Sequence, residues 1–428
     1  MAYSDGNSRT VVLFQETTFA TPPADWSASG TAFLCIEPSF EGAVQMAIEN
    51  LNYRQRPFAT REVVPSLRSG DGPTFGVHAH GRGGSSVAEG AQVTTDYQTT
   101  LMQNAWGGTR LGYRANIDAG STATVINVAA GTGANFSAGD ALFLCEASNS
   151  NRGRFSVIAS IATDALTMKV ACPFGSPVAA DTGAAVIVAF VNSPALVNQA
   201  DADNTTLSLI EFGEGAEDVR QVTGVKFDLT AIDGLGPGEA ITLRFAGKFA
   251  DHDNEGLTAP TGFTDPAGEA PIVTSTGSDT YFSIATYGTP AMSDATEVQS
   301  LAITPGVMSQ VVPCLNGVNG RSGYTSGGFD DTVWEVTVDN DADWLNAWEA
   351  HTQYHVMMQF GSEAGVAVGL YFPRVELVED PRRGISQDQA SLTLKFRAME
   401  DTAASALTGD RLEQYRSKIL YLRSAPIA

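Results

Sequence analysis

The five histidines are the first place to look for chemistry in this chain. His351 and His355 stand four apart, the spacing at which two imidazoles on one helix face can hold zinc. A metalloprotease pattern also needs a glutamate directly after the first histidine, and Thr352 occupies that place. The pair is expected to sit partly exposed near a helix end. His78 and His80 would point to one side of a strand, but their glycine-rich neighbours and the lack of a third ligand argue against a metal. Asp339, Asp341 and Asp343 imitate the opening of a calcium loop. The sixth position is Trp344 instead of glycine and the twelfth is Ala350 instead of glutamate, so that loop cannot form. Acidic residues at a helix start are the sounder reading. Asp251, Asp253 and Glu255 before Gly256 fail in the same way. No GxSxG elbow, phosphate-binding GxxxxGK(S/T) loop or strand-linked GxGxxG occurs. The chain is therefore expected to have no catalytic residues and to need no metal or cofactor.

Charge and composition narrow the classes further. The net charge is −23 over 428 residues, which opposes a surface that binds nucleic acid by neutralising phosphates. The stretch from Phe190 to Phe372 holds 5 basic and 25 acidic residues, while arginines gather at Arg54, Arg56, Arg61 and Arg68. Acidic and basic faces could then meet between subunits, or acid could line a passage for a polyanion; a plainly soluble acidic surface is the simpler alternative. The 43 glycines, 19 prolines and 17% charged residues suit a β-rich, loop-rich protein. No apolar run is long enough to span a membrane, and the opening residues lack a secretory pattern, so export by that route is not expected. Cys35, Cys145, Cys172 and Cys314 are scattered in apolar contexts and read as buried free thiols. Cys145 and Cys172 are the one plausible bridge.

The elements that must position these residues follow from periodicity. Thr10 to Ala24 reads as a short strand and then an extended Thr/Pro-rich arm. Cys35 to Asn50 and Pro57 to Val64 read as strands, and Pro65 to Thr95 as a long excursion with a hairpin around Thr74 to His80. Asp96 to Trp106 reads as a helix capped by Asp96, with Tyr97, Leu101 and Ala105 on one face and Gly107-Gly108 ending it. Residues 121–190 hold short β-branched strands between turn residues, the pattern of a small inserted β-barrel. Thr205 to Phe212 reads as a strand, and 251–270 as a linker. Strands follow near Val298 to Thr304 and Thr332 to Val338, then a helix over Asp339 to Ala350 with Trp344, Leu345 and Trp348 on one side. A last helix, Thr408 to Tyr415, leads into a strand over Ile419 to Leu422.

Two stretches echo each other: Gly224 to Asp251 and Phe372 to Asp401. Lys226, Phe227, Asp228 and Leu229 match Arg374, Val375, Glu376 and Leu377. Thr242, Leu243, Arg244 and Phe245 match Thr393, Leu394, Lys395 and Phe396. The second copy has a loop three residues longer, an insertion whose closure entropy is small. Two matches in order, each an alternating strand, indicate a duplicated β-unit. Val225, Phe227, Leu229, Val375 and Leu377 are expected to face the core. Asp228 and Glu376 then lie on the opposite face.

With these residues in hand, the chain resembles the tail tube (major tail) proteins of long-tailed bacteriophages. The likeness rests on the opening QETTFATPPADW, on DYQTTLMQNAWGG, on LSLIEFGEGAEDVRQVTGVKFDLT with GEAITLRFAGKFAD, and on the second unit ending ASLTLKFRAMED. It covers most of the chain outside residues 121–190. It implies a mainly β fold of two tandem β-sandwich-like tube units, each with a flanking helix: 1–120 with 191–250, and 271–428, plus the inserted β domain and the linker. It further implies trimeric, pseudo-sixfold rings stacked into a virion tail tube that conducts DNA into the host and is made in the bacterial cytoplasm. Tail terminator, tail-tip initiator and tape measure proteins are the implied partners, with viral DNA passing through unbound. Asp228 and Glu376 are the candidate lumen-facing residues. Arg54, Arg56, Arg61, Arg68, Phe75, His78 and His80 are the candidate inter-ring or inter-subunit contacts, with Thr17 to Trp26 and Pro65 to Thr95 as stacking segments. The alternative is a secreted or surface β-rich adhesin or carbohydrate-binding protein; a metal-dependent hydrolase would need a third ligand beside His351 and His355.

Overall fold

Val225, Phe227 and Leu229 are each at most 1% exposed, so the long strand that carries them lays its apolar side on the core, as its alternation requires. The computed structural model describes residues 10–39, 69–82, 86–106, 111–144, 153–170, 184–186, 189–192, 206–213, 219–236, 238–253, 257–263, 279–294, 298, 300–305, 307–329, 333–339, 343–386, 389–399, 401 and 419–426. The chain is mainly β, with antiparallel sheets throughout.

In chain order the first elements are β1 (Thr10–Gln15), α1 (Trp26–Ser29), β2 (Thr31–Phe33), β3 (Ile36–Ser39), β4 (Gly70–His78) and α2 (Tyr97–Trp106). A separate sheet follows, with β5 (Arg114–Asn116), β6 (Val125–Asn127), β7 (Ala141–Leu144), β8 (Arg154–Ala162), β9 (Ala165–Val170) and β10 (Ala184–Val186). After β11 (Ala189–Asn192), the first sheet resumes with β12 (Leu207–Phe212), β13 (Val219–Asp233), β14 (Thr242–Phe249) and β15 (Asp251–Asp253). The second half holds β16 (Thr280–Thr286), β17 (Ser293–Asp294), β18 (Ser300–Thr304), β19 (Val307–Val318), β20 (Arg321–Phe329), β21 (Val333–Asp339) and α3 (Asp343–Glu349). It closes with β22 (Gln353–Phe360), β23 (Val368–Leu377), β24 (Arg382–Ser386), β25 (Gln389–Ala398) and β26 (Ile419–Arg423).

The echo seen in the sequence reappears as pairing register. In the first half the strands neighbour one another in the order β1, β12, β13, β14, β4, β3. In the second half the order is β16, β22, β23, β25, β21, β18. Phe227 pairs with Gly247, Asp228 with Ala246 and Leu229 with Phe245; their counterparts Val375, Glu376 and Leu377 pair with Ala398, Arg397 and Phe396. Phe245 pairs with Phe75 as Phe396 does with Trp334, and Leu243 with Val77 as Leu394 does with Val336. A one-residue slip would turn every core side chain outward, so equal registers mean equal use of both faces. Both cores are aromatic: Phe75 lies 5.1 Å from Phe227, and Trp334 stacks on Phe396 at 4.3 Å. Even the terminal strands correspond, since Thr223 pairs with Asp251 as Tyr371 pairs with Leu420.

Each unit carries its helix in the same place in the order of elements. The α2 helix starts where Asp96 accepts the Thr99 backbone N–H at 2.8 Å, the cap its sequence predicts. Leu101, Ala105 and Trp106 are buried beneath it, and Asn104 clamps β13 by donating to the Val225 carbonyl and accepting from the Phe227 N–H. The α3 helix is shorter than expected because Asp339 still belongs to β21; Trp344 and Trp348 pack on the core. Gly107-Gly108, Cys145, Cys172, the segment 40–68 and the helix expected over Thr408 to Tyr415 lie outside the described residues.

The inserted sheet runs in the order β5, β10, β7, β8, β9, β6, and a bridge between Ile117 and Val128 joins its two ends into a barrel-like ring. It begins at Arg114, earlier than residue 121. Ile126, Leu142, Leu144, Ile158 and Met168 fill its own core. The opposite side, with Phe143, Phe155 and Val157, joins the main core. Phe155 rests on Gly369, where an added Cβ would come within 3.0 Å of the ring. The Gln359 side chain accepts the Phe155 N–H at 3.0 Å, and the Arg154 guanidinium lies 3.2 Å from the centre of the Tyr281 ring. The insertion thus seats on the second unit, with Lys169 reaching the buried carboxylate of Asp401.

Four expectations are corrected. Gly70 to His78 is no hairpin but a central strand between β14 and β3; its glycines read as turn residues, while Phe75 and Val77 supply the buried alternation. The arm after β1 is not extended, because Glu16 folds it back by accepting from Ala20 N, Thr206 Oγ1, Ser208 Oγ and Gly224 N. Gly224 has φ +62° there, with Ala250 and Ala20 too close for a side chain. The linker begins later than Asp251, since Asp251 to Asp253 pair with β13. The hairpin β19–β20 has no counterpart among the expected elements.

Candidate assembly and lumen surfaces

The repeated strands present one side to the core and the other away from it. On that second side stand Asp228 and Lys248 in the first unit, and Glu376 and Lys395 in the second. Three of its cations are matched by acids: Arg244 with Asp233 at 3.1 Å, Lys248 with Asp228 at 2.9 Å, and Lys395 with Glu379 at 3.1 Å and Glu335 at 3.7 Å. Hydrogen bonds from Lys395 and Arg382 hold the Glu379 carboxyl below its usual range. These positions of the face therefore carry paired opposite charges.

Asp228 is on the expected side but is not open. The β19–β20 hairpin of the second unit crosses the first, and the Ser309 N–H donates to Asp228 at 2.7 Å while Lys248 donates to the Ser309 carbonyl at 2.6 Å. Asn319 holds the Ala250 carbonyl and the Asp251 carboxylate, and the Tyr324 hydroxyl donates to the Gly224 and Lys248 carbonyls. Burial pushes the Tyr324 phenol up to about 12. Glu376 is half-buried and lies 3.1 Å from the exposed imidazole of His351. The two residues therefore predict different outcomes. Asp228→Ala strands a backbone donor and an ammonium and should cost about 1–3 kcal/mol in a urea titration. Glu376→Ala should stay within about 0.5 kcal/mol.

The other candidate residues divide sharply. Phe75 is 3% exposed in the core and His80 is equally buried, so neither is offered to a neighbouring subunit. His78 is half-buried, with Nδ1 3.3 Å from Thr242 Oγ1. Arg54, Arg56, Arg61 and Arg68 lie outside the described residues. His80 instead belongs to a polar knot around Arg423 of β26. The guanidinium makes two bonds to the Asp96 carboxylate, at 2.9 and 2.6 Å, and donates to the His80 and Gly81 carbonyls. Burial would raise the Asp96 carboxyl, but Arg423 and the Thr99 bonds outweigh it and hold it well below the carboxylate range. Burial and the Arg423 charge together bring His80 down to about 4. The last strand of the second unit is thereby tied to the helix cap of the first.

His351 and His355 do not converge. His351 ends α3 in the left-handed conformation, φ +50°, where it closes the helix C-terminus, and its side chain is exposed. His355 lies within β22, buried, with Nε2 on the Thr289 carbonyl at 2.8 Å and Nδ1 3.2 Å from the Tyr371 hydroxyl. A four-residue spacing shares a face within one unbroken helix or strand, and here a helix end and a turn separate His351 from His355 on β22. Among the described residues no group of three or more His, Cys, Asp or Glu side chains is placed to hold a metal ion. Cys35 and Cys314 are free thiols, and burial pushes Cys35 up to about 12.

Among the described residues, the large apolar side chains exposed to solvent are Leu34, Leu315, Val318 and Val378. Leu315 and Val318 sit at the tip of the β19–β20 hairpin. Leu34 adjoins β3, and Val378 lies between β23 and β24. No residue type marks such a surface in the sequence; the signal is exposure alone. No protein-family model and no curated protein matches this chain. Among the described residues no helix is long and apolar enough to cross a membrane.

Proposed function

We propose that this chain is a structural protein of a phage tail tube, in which three copies form a ring of six tube units and rings stack into a conduit for DNA. One observation carries the reading: two units in one chain share strand order and pairing register across six strands each. A chain whose halves are alike places two equivalent units per subunit, and a head-to-tail contact between like units closes into a ring when the rotation fits. Closure also removes the sheet edges that would otherwise invite uncontrolled pairing. The side of the repeated strands that faces away from the core would line the lumen. Arg244, Lys248 and Lys395 on that side are already paired with acids, which leaves fewer cations to exchange for DNA counterions and favours a passing duplex that slides instead of sticking. The exposed tip of the β19–β20 hairpin is the natural contact along the tube axis, towards the next ring or towards terminator and initiator proteins; a tape measure protein would occupy the lumen until DNA replaces it. The protein would act in the virion after synthesis in the host cytoplasm.

Electron microscopy of the concentrated, purified chain tests this. Hollow rings or short tubes are expected, threefold in subunit content and sixfold in outline. True sixfold chemistry, with one chain per tube unit, would overturn the arrangement, and fibres without a lumen would favour the adhesin.

A further inference from the structure

Lys169 leaves the inserted domain at a bulge. Along β8 and β9, Val157 pairs with Val170 and Ile158 with Met168, so the register steps past Lys169. The bulge divides β9 between two interiors: Met168 fills the core of the insertion, while Val170 joins the main core. Bulges re-aim side chains in this way and are frequent beside reactive sites. Here the Lys169 ammonium is carried out of the insertion and into direct contact with Asp401 Oδ2 of the second unit, a side chain that is 0% exposed. Two tyrosines stand around the pair. The Tyr287 hydroxyl donates to the other carboxylate oxygen, Oδ1, at 2.5 Å, and its ring lies 5.5 Å from the Arg374 guanidinium. The buried Tyr371 ring lies 5.9 Å from Lys169 Nζ. Burial brings the Lys169 ammonium down to about 7, so the neutral, nucleophilic amine is populated near neutral pH.

We propose that Lys169 Nζ condenses with Cγ of Asp401 to form an intramolecular isopeptide bond, which joins the inserted domain covalently to the second unit. The inference does not depend on the ring reading. A proton passes from Lys169 to Asp401 Oδ2, and the freed amine lone pair adds to Cγ. A second proton follows from nitrogen to Oδ2, and the Cγ–Oδ2 bond breaks to release water. An ammonium and a carboxylate thus give one neutral amide and one water, with no co-reactant. Oδ1 carries the negative charge of the tetrahedral intermediate and then becomes the amide carbonyl, and it is the oxygen that Tyr287 already holds. Two physical effects favour the step. The contact replaces the encounter of two separate reactants. In water an amine and an acid resist condensation because each is ionised and hydrated. Sealed in the protein the two ions have lost that hydration and are costly to keep, whereas the amide carries no charge. The reaction removes the Lys169 charge beside His355 and leaves in place the burial that mainly lowers that imidazole.

Mass spectrometry of the full chain, incubated folded and then denatured, tests this. The unaltered chain should be lighter than its sequence by one water, and protease digestion should release a branched peptide joining the segments of Lys169 and Asp401. That peptide is read on the unaltered chain, so it stands even where a variant fails to fold. Lys169→Arg keeps a cation for the carboxylate but removes the nucleophilic amine, and the full sequence mass should return. Asp401→Asn should converge on the mass of the unaltered chain, because the same amide then forms with loss of ammonia instead of water. On a denaturing gel the unaltered chain should run ahead of Lys169→Arg, since the bond closes a loop from residue 169 to residue 401. An unaltered chain at its full sequence mass would overturn the bond and leave an ion pair only. A water lost equally from Lys169→Arg would place the condensation at other residues and overturn the assignment.

Discussion

Arg423→Met is expected to lower folding stability by about 3–5 kcal/mol, the cost of leaving one member of a buried ion pair without its partner. The Arg423 side chain is wholly buried, and every polar direction of its guanidinium is engaged by Asp96, Thr99 and the carbonyls of His80 and Gly81. Methionine fills a similar length but satisfies none of these groups. The loss should appear as a lower urea midpoint. Asp96→Asn added to Arg423→Met should recover part of the loss, because asparagine keeps a side-chain oxygen for the Thr99 N–H while removing the stranded charge. A double variant no more stable than Arg423→Met would show that the penalty comes from packing and not from charge. Because Arg423 belongs to the last strand, β26, and Asp96 caps α2 of the first unit, the same substitution should also loosen the two units from each other. Faster hydrogen exchange at Thr99 and Val225 would report that loosening.

Acid should weaken the fold well before the carboxylates titrate. Burial holds His80 and His355 at about 4, against an ordinary value of 6.5, and both are neutral in the folded chain at pH 7. Arg423 pushes His80 in the same direction, while Asp96 and the Gly81 carbonyl oppose it. Lys169 pushes His355 down, and the Thr289 carbonyl opposes that shift. The unfolded chain binds protons at both histidines as pH falls below 6.5, whereas the folded chain does so only near 4. Their contribution is thus fully present above 6.5 and falls through the window from 6.5 to 4, and the loss reaches roughly 3 kcal/mol per histidine at the lower end. Asp96 acts in a different window, because its depressed carboxyl stays charged in the folded chain and its contribution is lost only below its unfolded value. Urea midpoints at pH 7, 5.5 and 4 should therefore decline steeply. His355→Gln, which can still donate to the Thr289 carbonyl, should remove about half of the decline. An unchanged profile in that variant would place the titration elsewhere.

What periodicity and local capping can encode was legible in the sequence. Alternating apolar residues place Val225, Phe227 and Leu229 in the core, and the matched motifs at Lys226 and Arg374, and at Thr242 and Thr393, anticipate the equal registers of the two sheets. Asp96 is recognisable as a cap because its partner, the Thr99 N–H, is three residues away. These features need only neighbours or a comparison of the chain with itself. Tertiary structure alone decided the rest. Gly70 to His78 has the composition of a loop, and it becomes a central strand because β14 and β3 pair with both of its edges. Asp228 alternates outward like Glu376, yet one is sealed by Ser309 and the other is not, because the hairpin of one unit reaches across the other. Arg423 looks like any charge near a chain end until the fold brings Asp96 against it. A pattern along the chain specifies which side of a strand is apolar; which charge is buried depends on what a distant segment sets over it, and no local spacing carries that information.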